Sequence, residues 1–198
     1  MAPRVLDRHG DDTIADRVRP LGLGWPNLVS VGRVALIPIL VAFILFDSHA
    51  AADAAAAVFV LGAASDGLDG WLARRHQMTT ATGAWLDPLS DKLFVAAPIV
   101  TLTLLGRFPV WAALVILGRE VAVSVLRWRL DVRAVSMPAS RLAKWKTASQ
   151  LAAVLLYLLP LGATADPWKL AAVIVAVALT VYSGAEYFLT SRHRVESA

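Results

Sequence analysis

A chain of 198 residues with no cysteine, 58% hydrophobic and 17% charged residues and a formal charge of +4 excludes a disordered segment, a disulfide-stapled scaffold and a cysteine-ligated metal protein. Its mean hydropathy of +0.62 is too high for an ordinary soluble domain, in which about a quarter of residues are charged. The pI near 9.8 does not point to nucleic acid, because the cations are scattered between apolar runs rather than gathered on one polar face.

Residues 1–25 carry charges of both signs and no apolar run ending in a small-residue cleavage site, so the first apolar stretch is expected to stay as an anchor. Within them Ile14, Val18 and Leu21 recur at helical spacing among Arg and Asp, which fits a short helix on a membrane surface or a solvated tail. We therefore expect a cytoplasmic juxtamembrane segment, 1–25, followed by a single domain, 26–198. A transmembrane helix needs roughly 20 mostly apolar residues. Six stretches qualify: 28–46, 50–72, 85–105, 109–128, 142–161 and 167–189. They are rich in Ala and Leu and lack the alternation of a membrane barrel. The expected fold is all-α, a polytopic bundle of six transmembrane helices. Trp25, Trp71, Trp85, Trp128, Trp145 and Trp168 fall near the ends of these stretches, where interfacial aromatics belong. On one side the connections and flanks hold Arg4, Arg8, Arg17, Arg19, Arg74, Arg75, Arg127, Arg129, Arg133, Arg141, Lys144, Lys146, Arg192 and Arg194, and on the other only Arg107 and Lys169. That asymmetry places both termini in the cytoplasm.

Four carboxylates stand out, because an Asp costs about 2.5 to 3.5 kcal/mol at the centre of a spanning helix and less near its ends. Asp66 and Asp69 close the second stretch, and Asp87 and Asp91 open the third. At about 1.5 Å per residue, Asp66 and Asp91 each lie roughly 9 Å inside the expected ends, so antiparallel helices bring them to one depth, with Asp69 and Asp87 paired at a shallower level. The i,i+3 and i,i+4 spacings put each pair on one helix face. Four converging negative charges need protons, basic partners or divalent cations. Arg74, Arg75 and Lys92 could supply ion pairs, but an oxygen-only donor set better suits hard cations, with Mg²⁺ or Mn²⁺ ahead of Ca²⁺ if phosphate is also bound. His76 reads as a solvated loop residue.

The stretch from Asp66 to Asp91, DGLDGWLARRHQMTTATGAWLDPLSD, resembles the signature of the CDP-alcohol phosphotransferases. That signature, D-x-x-D-G-x-x-A-R, eight residues, G-x-x-x-D-x-x-x-D, is met at Asp66, Asp69, Gly70, Ala73, Arg74, Gly83, Asp87 and Asp91 with every intervening length intact. The resemblance implies a six-helix, dimeric membrane enzyme that displaces CMP from a CDP-linked lipid with two divalent ions. Asp66, Asp69 and Asp87 would share one ion, and Asp66, Asp87 and Asp91 the second. Asp91 would be the general base, while Asn27, Asp66, Gly70, Arg74 and Gly83 would contact the CDP moiety.

The acceptor has to be read from other polar residues. Arg119 and Glu120 lie in the fourth stretch with Arg127 seven residues beyond Glu120, and Arg141, Lys144 and Lys146 open the fifth. Together these cations suit a phosphorylated acceptor. The alternatives are a mutual Arg119–Glu120 pair and, for Arg127, Arg129 and Arg133, a loop obeying the charge bias. PNLVSVGRVALIP from Pro26 to Pro38, GRE from Gly118 to Glu120 with Leu126 and Arg127, and AKWKTASQ from Ala143 to Gln150 resemble the branch of the family that makes phosphatidylglycerophosphate from CDP-diacylglycerol and sn-glycerol 3-phosphate. Ala143 departs from the Gly many members carry there, which bears on packing. The competing branches are the CDP-alcohol type of cardiolipin synthase and phosphatidylinositol phosphate synthase. A divalent-cation transporter is the rival from another class, but it would be expected to place its acids at the midplane, often in repeated halves. The resemblance further implies a homodimer and a bacterial cell membrane with the active site facing the cytoplasm; no nucleic-acid partner is expected.

Overall fold

The structure, a computed structural model, describes residues 25–46, 48–76, 81–132 and 141–196, and side chains within 31–46, 48–65, 89–129, 142 and 144–191. Among the described residues there are six α-helices and no strand: α1 (Trp25–Leu45), α2 (His49–His76), α3 (Ala81–Leu104), α4 (Val110–Val132), α5 (Arg141–Leu158) and α6 (Asp166–Glu196), with a 3₁₀ turn (Ala163–Ala165) before α6. Each of the six expected stretches corresponds to one helix. The surface helix expected near Ile14, Val18 and Leu21 lies outside the described residues, as does Arg133.

Several helices overrun the apolar runs that announced them. Helix α2 continues to His76, α3 begins at Ala81 and α6 runs to Glu196. An apolar run marks the reach of an oily environment, whereas a helix continues for as long as its backbone hydrogen bonds can close. The end of α3 follows from local chemistry. Gly106 adopts a positive φ of 70°, its N–H donates to the Thr103 carbonyl at 3.0 Å, and the Arg107 N–H donates to the Leu102 carbonyl at 2.8 Å. This is the Schellman closure, for which glycine has no steric penalty. It throws the chain directly into α4.

Helix α1 packs against both α2 and α3, α6 against α4 and α5, and α5 also touches α2 and α3. The apolar core gathers toward one end of the bundle. It draws on the C-terminal halves of α1 (Leu40, Ile44), α3 (Phe94, Ile99, Leu102) and α5 (Ala153, Val154, Leu158), and on the N-terminal halves of α2 (Ala55, Phe59), α4 (Ala112, Ile116) and α6 (Val173, Ala176). Phe108 closes this end, its ring meeting Tyr157 edge-on at 4.9 Å. Most buried polar side chains, among them Arg33, Ser90, Lys146, Gln150, Ser183 and Ser191, lie toward the opposite end. Thr101, buried at the apolar end, turns its hydroxyl onto the Ala97 carbonyl at 2.8 Å, which satisfies it locally.

Large apolar side chains also cover the outside of the bundle, including Leu61, Leu104, Leu114, Val121, Val175 and Leu189. Soluble monomers rarely expose contiguous apolar patches of great extent. Among the described residues one helix, Ala163–Ser191, is long and apolar enough by itself to cross a membrane, and 31–45 and 49–65 are shorter apolar helical stretches. Charged residues such as Asp91 and Lys92 in α3, Arg119 and Glu120 in α4, and Lys144 and Lys146 in α5 interrupt the other runs.

Candidate active site

The four acids lie on uninterrupted helix, Asp66 and Asp69 on α2 and Asp87 and Asp91 on α3. Because both helices are longer than expected, Asp66 precedes the end of α2 by ten residues and Asp91 follows the start of α3 by ten. Each is thus about 15 Å from its helix end, deeper than the sequence suggested, and the two depths still match. A contact at Phe94 relates the levels of the two helices. The Phe94 ring of α3 stacks on Phe59 of α2, with centroids 5.6 Å apart and planes within 5°, and lies so close to Gly62 that a methyl group there would stand 2.2 Å from Cζ. With only residues 77–80 between them the two helices run antiparallel. Counting up α2 from Gly62 and down α3 from Phe94 then brings position 69 level with 87 and position 66 level with 90, one residue short of 91.

The side chains of Asp66, Asp69, Arg74 and Asp87 lie outside the described residues, as do those of Asn27 and Arg141, and nothing is described around Gly70 and Gly83. Asp91 is described: its Oδ1 accepts from Nη1 of Arg33 on α1, with Arg33 5% exposed and Asp91 43% exposed. Arg33 has no role in the sequence reading above. The signal was present, since a lone guanidinium in an apolar span must find a partner.

Beside Asp91 begins a second polar set. Lys92 Nζ donates to Ser124 Oγ on α4, and Ser124 Oγ donates to the backbone carbonyl of Glu120. The Glu120 carboxylate accepts from Lys146 Nζ on α5 and from Arg119 Nη1 at 3.2 Å. Arg119 Nη2 donates in turn to Ser183 Oγ on α6 at 3.1 Å. Below this layer Gln150 Nε2 donates to Thr180 Oγ1 at 2.8 Å, and Thr180 passes its own hydrogen to the Ala176 carbonyl at 2.6 Å. An unbroken series of contacts therefore runs from the helix bearing Asp91, through α4, to α5 and α6.

The expected acceptor cations are only partly brought together. Arg119 and Lys146 share one carboxylate, so the expected Arg119–Glu120 pair exists within a larger network. Lys92 lies within electrostatic reach of Glu120, Arg119, Arg127 and Asp91; Asp91 is paired with Arg33, and Lys92, Arg119 and Lys146 together outnumber Glu120 by two charges. Arg127 stands over the ring of Tyr187 on α6, 5.8 Å from its centroid. Lys144 and Arg129 are exposed, and neither joins the network. The sequence reading also missed Ser124 and the α6 residues Thr180, Ser183, Gly184 and Tyr187.

The donor set at positions 66, 69, 87 and 91 consists of carboxylates alone, at i,i+3 and i,i+4 on two antiparallel helices, which fits hard divalent cations. Among the described side chains no three carboxylates or imidazoles meet, Asp91 being the member of the set that is described.

Comparison with known proteins shows the family. The family model described as CDP-alcohol phosphatidyltransferase matches residues 23–182. The chain is 37% identical over 180 residues to a protein of Mycobacterium tuberculosis strain H37Rv named "Probable phosphatidylglycerophosphate synthase", covering 88% of this chain and 83% of that one. It is 38% identical over 178 residues to a "CDP-diacylglycerol--glycerol-3-phosphate 3-phosphatidyltransferase" of Bacillus subtilis strain 168, covering 82% and 92%. A "Cardiolipin synthase (CMP-forming)" of Oryza sativa subsp. japonica is 37% identical over 154 residues, covering 70% of this chain and 46% of its own.

Proposed function

Because the chain belongs to the CDP-alcohol phosphatidyltransferase family, we propose that it transfers the phosphatidyl group of CDP-diacylglycerol to sn-glycerol 3-phosphate, giving phosphatidylglycerophosphate and CMP. The observation that carries the choice of acceptor is the excess of positive charge where Lys92, Arg119 and Lys146 surround Glu120, Lys92 being the residue that follows Asp91 in sequence and that reaches Glu120 through Ser124. A phosphate monoester dianion is the acceptor group that such an excess suits.

In this reading Asp91 accepts the proton of the acceptor hydroxyl, whose oxygen bonds to the lipid-linked phosphorus as the bond from that phosphorus to the CMP oxygen breaks. Asp66, Asp69, Asp87 and Asp91 hold two divalent ions, Mg²⁺ or Mn²⁺. When bound, the ions neutralise the diphosphate oxygens and the charge that develops on leaving CMP. Asn27, Asp66, Gly70, Arg74 and Gly83 bind the CDP moiety, the glycines by letting backbone approach it closely. Arg119 and Lys146 hold the acceptor phosphate, with Arg127, Arg141 and Lys144 toward the cytoplasm. The six helices span the cell membrane of a bacterium with both termini in the cytoplasm and form a homodimer, with residues 1–25 as a separate juxtamembrane segment. The exposed apolar flanks and the concentration of Lys and Arg on one side support that placement.

The similarity to a plant cardiolipin synthase favours a second reading, in which phosphatidylglycerol is the acceptor. One assay separates them. Purified protein in detergent with Mg²⁺ or Mn²⁺ and CDP-diacylglycerol is offered glycerol 3-phosphate, phosphatidylglycerol, inositol 1-phosphate, inositol and serine in turn. CMP release with glycerol 3-phosphate and not with the others is the expected result. Release that ignores the acceptor would defeat the displacement.

A further inference from the structure

One side of α6 shapes the surroundings of two α4 cations. Arg119 donates through Nη2 to Ser183 Oγ at 3.1 Å, and the Ser183 hydroxyl, buried and donating to the Thr180 carbonyl at 3.2 Å, turns its lone pairs toward that guanidinium. The stem of Arg119 lies flat on Gly184, where a methyl group would stand 3.3 Å from Cγ and 3.4 Å from Nε. Nε itself is buried there and has no hydrogen-bond partner. One turn on, the Tyr187 ring supports Arg127.

A guanidinium recognises phosphate well only when its plane is fixed, because its advantage over an ammonium is a rigid fork of donors. Here the fork is gripped at both amino nitrogens, by Glu120 at Nη1 and by Ser183 at Nη2, and each keeps a second N–H hydrogen. Gly184 supplies the flat floor that lets the stem lie down. Without the Ser183 hydroxyl the plane can turn, and a side chain at position 184 lifts the stem away from α6.

We infer that Ser183 and Gly184 are positioning residues that set the orientation of Arg119, and through it the affinity for the phosphorylated acceptor, without touching the CDP-linked donor. Tyr187 does the same for Arg127 one turn away. The inference rests on the reading of Arg119 and Arg127 as acceptor-phosphate ligands.

Full-length protein in detergent with Mg²⁺ tests it, with glycerol 3-phosphate and CDP-diacylglycerol varied independently. Ser183→Ala, which removes a single oxygen, should raise KM for glycerol 3-phosphate about tenfold, as the loss of a hydrogen bond to a charged group warrants. KM for CDP-diacylglycerol and kcat should stay within about twofold. Ser183→Thr, which keeps the hydroxyl, should recover most of the acceptor KM, and Gly184→Val should repeat the selective effect. An unchanged acceptor KM in Ser183→Ala, or equal changes in both KM values, overturns the inference while leaving the acceptor assignment intact. Wild-type protein that turns over another alcohol and not glycerol 3-phosphate overturns the assignment, and the inference with it.

Discussion

Arg33 of α1 forms an ion pair with Asp91 of α3, with the guanidinium buried and the carboxylate partly open to solvent. The pair ties the α1–α3 contact to the residue proposed to accept the proton. A buried charge that loses its counter-ion is costly, so each partner carries a share of stability separate from any part in turnover. Replacing Asp91 with Asn should abolish CMP release with only a modest effect on nucleotide binding, whereas Arg33→Gln should lower both thermal stability and kcat. A double-mutant cycle on the two positions, read by thermal unfolding in detergent, should give a coupling of about 1 to 3 kcal/mol. Additive effects would mean the pair is incidental.

The contact of Gly62 with the Phe94 ring leaves no room for a side chain. Gly62→Val should force the ring out of its stack on Phe59 and shift α2 relative to α3, at a cost of about 1 to 3 kcal/mol. Turnover should fall further than stability alone explains, because the same contact relates the levels of the two helices that carry the four acids. Shortening the ring in Gly62→Val/Phe94→Leu should restore part of both. A Gly62→Val protein with wild-type kinetics would break the connection drawn between this contact and the acidic set.

Glu120 balances Lys146 and Arg119, so its two neighbours should respond differently to mutation. Lys146→Met should raise the glycerol 3-phosphate KM by at least about tenfold while the protein stays folded. Glu120→Gln leaves two buried cations facing each other and should destabilise the fold by about 3 to 5 kcal/mol. Steady-state kinetics and thermal unfolding measured on both variants check the contrast.

Removal of divalent ions should silence the enzyme reversibly. EDTA should abolish turnover, and Mg²⁺ or Mn²⁺ should restore it. Mg²⁺ should also raise the unfolding temperature of the wild-type protein by a few degrees, through binding to the native state alone. That increment should vanish in Asp66→Asn and Asp87→Asn, a readout independent of catalysis.

The six helices could be read in the sequence because apolar run length is a strong signal, and their ends could not because polar residues such as Arg74, Arg75 and His76 continue α2 past the apolar run. Arg119 was legible as a charge inside an apolar stretch beside Glu120, and Lys146 as one of the cations that open the fifth stretch. Lys144 carries the same charge two positions earlier, and positions two apart on a helix point to different sides, so only one of the two meets Glu120. Thr180, Ser183, Gly184 and Tyr187 follow the i,i+3,i+4,i+7 pattern of a helix face, yet they are uncharged, and their meaning emerges only once Arg119 is seen on Ser183 and Gly184, Arg127 over Tyr187 and Gln150 on Thr180.

The confinement of the apolar core to one end of the bundle gives the molecule a firm base and a hydrated rim. Interlocked rings and aliphatic side chains anchor the base, while the rim is held by hydroxyls and charged groups that can trade partners with water. Amide hydrogens near Leu102, Ala112 and Val173 should therefore exchange far more slowly than those near Lys92 or Lys146. A lipid-linked nucleotide could then be admitted and its product let go by breathing at the rim alone, with the base never loosening.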